Sequence, residues 1–137
     1  MKTIYLTSVL AFLFLIFSGC EKAPEEQILG KWKVEDVEST AKMTEAEAEM
    51  FKNTIVEEQK QLLSYTFDQN DMKMIYGEDE TVWNWMLTGS GDSLKLSISN
   101  EDRQLEYMVD ELSKDALVLA QDVYDEYTVT TFLKRAE

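Results

Sequence analysis

The chain is 137 residues long and carries 27 acidic side chains against 13 basic ones, for a formal net charge of -14. That balance repels nucleic-acid phosphates and anionic lipid surfaces, which argues against a nucleic-acid partner. With no His and one Cys, the sequence lacks the commonest general base and metal ligand, and it cannot form an intrachain disulfide or a thiolate zinc cluster.

Met1-Lys2 is a short positive start, and Ile4 to Phe17 is a mostly apolar run. The run is short for a membrane span and the right size for a signal-peptide core. Ser18-Gly19-Cys20 follows, two small residues before the only Cys. This resembles a bacterial lipobox, with Phe17 where Leu is more usual. The resemblance implies a signal peptide over residues 1–19 and lipidation of Cys20 as the new N-terminus. Two or three acyl chains would then anchor the protein in a membrane, each buried methylene adding about 0.8 kcal/mol. Residues 20–27 read as an acidic tether, and acids soon after the Cys resemble the surface-export signals of Bacteroidota lipoproteins. The address implied is the bacterial cell envelope, as an outer-membrane lipoprotein on the periplasmic or the exposed side.

The folded domain is expected over 28–137. Gly30 lets the chain turn sharply one residue before the first strand, and Trp32 turns inward as a plug for a barrel floor. Trp32 and Val34 alternate with Lys31, Lys33 and Glu35, the period of a half-buried strand. Thr44-Glu45-Ala46-Glu47 has the form of a capping box, with Met43 and Ala48 placed as a staple. It predicts one helix, running to about Leu63 with Met50, Phe51, Ile55 and Leu62 on its apolar side. Seven alternating runs follow, starting near Tyr65, Met72, Trp83, Leu94, Leu105, Leu117 and Tyr127 and separated by turn residues. Counting the first strand gives eight, enough to close a barrel that side chains fill or that holds one small ligand.

Ile28-Leu29-Gly30-Lys31-Trp32 resembles the Gly-x-Trp opening of lipocalins, and Phe132-Leu133-Lys134-Arg135 resembles the end of their barrel. The Tyr65-Thr66-Phe67-Asp68 run and the final strands resemble the lipocalin-like domains of small Bacteroidota lipoproteins. The resemblance implies an all-β protein with one helix: an eight-stranded antiparallel up-and-down lipocalin-like barrel. Its helix lies between strands 1 and 2, whereas lipocalins place theirs after the barrel. A two-sheet sandwich is the alternative fold. Gly30, Trp32 and Arg135 (or Lys134) would close the floor, a cation lying over the indole. Trp32, Phe51, Tyr65, Phe67, Tyr76, Trp83, Trp85 and Tyr107 either line a pocket for a small hydrophobic ligand or fill the core. The helix would cap the barrel mouth or pack outside on Ile75, Val82, Met86, Met108 and Val118; the mouth is favoured.

The loops at Glu78-Asp79-Glu80 and Asp122 to Glu126 lack calcium-loop spacing and read as solvated charge, so no metal is expected. No carboxylate pair singles itself out as an acid/base couple, and neither catalytic residue nor cofactor is expected. The function expected is a lipid-anchored envelope binder of a small hydrophobic ligand. The alternative is a filled barrel acting as an interaction or inhibitor module on an envelope protein, whose identity the sequence does not give.

Overall fold

The computed structural model describes residues 22–136, so the expected signal peptide and Cys20 lie outside the described residues. A single turn of helix, α1 (Pro24–Gln27), leads into strand β1 (Gly30–Ser39). A helical segment follows as α2 (Glu45–Met50), a π-helical stretch Phe51–Val56, and α3 (Glu57–Leu62). The remaining strands are β2 (Leu63–Phe67), β3 (Met72–Tyr76), β4 (Asp79–Thr88), β5 (Lys95–Ser99), β6 (Gln104–Leu112), β7 (Ala116–Val123) and β8 (Tyr127–Arg135). Each strand pairs antiparallel with the next, and β8 returns to β1 to close an eight-stranded barrel. Among the described residues, the strand pairing and the buried core lie between Ile28 and Arg135.

The period-two pattern is interrupted twice. Opposite β8, the register shifts between Val34 and Asp36, and opposite β7 it shifts between Val109 and Glu111. Each bulge inserts one extra residue, so two successive acids point outward before the inward series resumes at Val37 and at Leu112. Asp36 helps to hold the first bulge, its Oδ1 accepting from the Val37 amide at 2.9 Å.

Two expectations are corrected here. The expected helix is not alone, because Pro24–Gln27 forms α1, with Pro at its first position and the Ile28 amide bonded to the Pro24 carbonyl. Four residues are too few to show a helical period in the sequence. The long helix also presents a different face from the one expected. It starts as predicted, the Thr44 hydroxyl accepting from the Glu47 amide. Across Phe51–Val56 the backbone then widens to a π-helical turn, which brings residue i+5 rather than i+4 under residue i. Val56, 3% exposed, therefore enters the core with Phe51 packed against it, while Ile55 (44%) and Met50 (67%) face solvent and Leu62 is also exposed. The helix sits at the upper end of β1, where Val56 joins the interior cluster that contains Val37. This end is the barrel mouth, opposite the Trp32 floor.

Candidate functional site

The floor is built from both chain ends. Trp32 is fully buried, and its Nε1 donates to the Ile28 carbonyl at 2.8 Å. The Arg135 guanidinium lies 4.1 Å above the indole ring. It donates to three backbone carbonyls, Gln27, Leu29 and Lys114, each at 2.7 Å. Gly30 makes room for this arrangement. Its φ is +116°, and a Cβ there would stand 2.7 Å from Arg135 Nη1. Around Trp32, the side chains of Phe67, Met72, Leu117 and Leu133 are packed to 2% exposure or less. The floor is a solid plug.

The next rows upward differ. Strand register places Tyr65 beside Trp32 on the inward face, followed by Met74 and Thr81. Leu105 and Tyr107 face inward from β6, and Thr131 and Val129 from β8. All of these keep some solvent-exposed surface although they point into the barrel. Among the described residues, no buried side-chain polar atom lacks a hydrogen-bond partner. Tyr65 and Tyr107 are partly buried and pack against the interior cluster. The upper inward rows are thus less fully buried than the floor. Burial pushes the Tyr65 phenol well above its ordinary value, with Tyr107 adding to the effect. Burial raises Tyr107 too, against a lowering influence from Arg103. Both phenols stay neutral and can donate or accept a hydrogen bond.

The eight aromatics expected at a pocket divide by height in the barrel. Trp32, Phe67 and Trp83 are buried in or beside the plug. Tyr65 and Tyr107 stand partly buried in the upper rows of the barrel. Tyr76 stands at its lip, partly exposed, where a hydrogen bond to Glu58 raises its phenol. Phe51 lies in a groove of about 390 Å³ between the helix and the end of β1, with Val37, Met43 and Val56. Trp85 stands apart. Its ring meets Phe67 edge-on at 5.6 Å, and its Nε1 donates to the Asp68 carbonyl at 2.7 Å. Together with Leu29, Leu87 and α1 it lines an outer cleft of about 440 Å³ at the floor end. Met74, Leu105 and Val129 accompany them on the inward face, partly buried. Their alternation with polar neighbours carried the signal, but parity alone does not tell a lining residue from a packed one. Among the described residues, no three His, Cys, Asp or Glu side chains converge as a metal site would require.

Taken together, the topology and the site define a closed eight-stranded up-and-down barrel, plugged at the Trp32 end, in which every strand lies beside its neighbours in sequence. No family model and no curated protein matches the sequence. Among solved structures, the chain is similar to a lipocalin-like protein from Bacteroides uniformis, with a TM-score of 0.46 and 12% sequence identity. That match covers 80% of this chain and 99% of the other.

Proposed function

We propose that this protein is a lipid-anchored envelope protein that binds a small hydrophobic ligand in the upper half of its barrel. The observation that carries the reading is that the upper inward rows are only partly buried, which we read as a recess above the packed floor. Tyr65, Met74, Leu105, Tyr107 and Val129 point inward above a packed floor, yet solvent reaches them. A concave, mostly apolar site with a few convergent hydroxyls is what a small hydrophobic molecule needs for burial and orientation. The helix serves as a partial lid, with Val56 and Phe51 at the rim. Anchoring through Cys20 fits the geometry of the described chain, which enters the barrel at the floor through α1. An anchor there would turn the floor toward the membrane and the mouth away from it. On this reading the ligand is exchanged with the aqueous side or with a facing partner.

The test is organic extraction of the folded domain, residues 22–137, purified from its native host, followed by mass spectrometry. A recurrent hydrophobic molecule in the extract is the expected result. The companion measurement compares Phe51→Asp at the lid with Met86→Asp on the outer wall. Phe51→Asp should change the uptake of a fluorescent hydrophobic probe while Met86→Asp leaves it alone. A clean extract, together with equal behaviour of the two variants, would rule the binder out.

A further inference from the structure

The charge of this protein is polarised along the barrel axis. The turns between strands at the mouth carry Glu78-Asp79-Glu80, Glu101-Asp102 and Asp125-Glu126 against Arg103, and the helical segment with its lead-in adds Glu45, Glu47, Glu49, Glu57 and Glu58 against Lys42, Lys52 and Lys60. At the opposite end Lys31, Lys33, Lys73, Lys95, Lys134 and Arg135 are roughly balanced by Glu25, Glu26, Asp68, Asp71, Asp92 and Asp115, so the excess of acid lies at the mouth. Inside the barrel the contrast is sharper. Four tyrosines, Tyr65, Tyr76, Tyr107 and Tyr127, have inward register from the middle rows to the lip. No lysine has inward register, and the one inward arginine is Arg135, spent on the floor. The inward acid is Asp79, paired with Tyr76 at the lip, where Glu58 also reaches the phenol.

Each of these features acts in the same direction. Acids ringing an opening with low-dielectric walls concentrate cations at it and repel anions. Tyrosine faces attract a cation that has shed water, and neutral phenol oxygens can accept hydrogen bonds from an ammonium group. Arg103 is exposed and its charge reaches Tyr107, but it sits directly after Glu101 and Asp102, and the acids at the mouth outnumber the bases. We propose that the recess selects hydrophobic cations, an amine or quaternary ammonium on an apolar body, over carboxylate amphiphiles of the same shape. This rests on the reading that the upper barrel binds a ligand, and it specifies the chemical class.

The test uses residues 22–137 and three fluorescent probes with one diphenylhexatriene body: neutral, trimethylammonium-bearing and propionate-bearing. The ammonium probe should bind at least about tenfold more tightly than the propionate probe, and the margin should shrink with added salt. The variant Asp79→Asn/Glu101→Gln/Asp102→Asn, at exposed rim positions, should remove most of that margin and leave the neutral probe unaffected. Tyr76→Lys, at the partly exposed lip, should weaken the ammonium probe alone. Equal or tighter binding of the propionate probe would overturn the inference, and so would a margin that survives both variants. Failure of all three probes to bind would instead overturn the ligand-binding reading beneath it.

Discussion

Replacing Arg135 tests how the floor is held. Its guanidinium makes three hydrogen bonds to carbonyls and covers the Trp32 ring. A charge-assisted hydrogen bond contributes about 1.5–3 kcal/mol, less where water can replace the lost partner. The bond to Lys114 is exposed and counts for little, whereas those to Gln27 and Leu29 are partly buried. With roughly 1 kcal/mol for the cation over the indole, Arg135→Ala should cost about 3 kcal/mol. For a domain of this size that lowers Tm by roughly 10 °C. Arg135→Lys keeps the charge but cannot fork to three carbonyls while stacking, so it should recover less than half of the loss. Urea unfolding at unchanged m-value measures both variants. If Arg135→Lys is as stable as the wild type, the guanidinium geometry does not hold the floor and the account of Gly30 falls with it.

Val56→Asp should destabilise by about 3 kcal/mol or more by burying an unpaired carboxylate, and Ile55→Asp by less than about 1 kcal/mol; a reversed order in thermal melts would refute the π-helical phase. Cys20→Ser should leave an unprocessed precursor without acyl label in cells, and normal labelling of that variant would refute the anchor. The raised phenols of Tyr65 and Tyr107 add stability that is fully present below the ordinary tyrosine pKa of 10.0. It is lost as pH rises above that value, because the unfolded chain releases those protons first. Melting temperature should therefore fall above about pH 10, with tyrosinate absorbance appearing late, and two phenols titrating normally in the folded state would contradict their placement in the recess.

Much of the barrel was legible in the sequence because its signals are local. Alternation marked all eight strands, and Gly30-Lys31-Trp32 marked where closure begins. Thr44 and Glu47 marked the start of the helix. The features missed depend on small departures from regularity. Phe51 and Ile55 fit an α-helical stripe, and only the widened backbone shows that Val56 takes the inner position. The bulges at Glu35-Asp36 and Asp110-Glu111 break a parity that a reader of the sequence would extend unbroken. The site was half legible. Period two told which aromatics face inward, but the height of each along the axis decides its role. Trp32 and Phe67 are sealed at the floor, Tyr65 and Tyr107 stand in the open rows above, and Trp85 is bonded to a turn at the floor end. That height follows from the register around the closed sheet, which no single strand encodes.

The most direct test of the central claim is a crystal structure of residues 22–137 grown with the neutral diphenylhexatriene probe. The account requires density for the probe inside the barrel between Tyr65 and Tyr107, resting above Trp32 and beneath the helix. Density confined to the outer cleft beside Trp85, with side chains filling the interior up to the mouth, would contradict it.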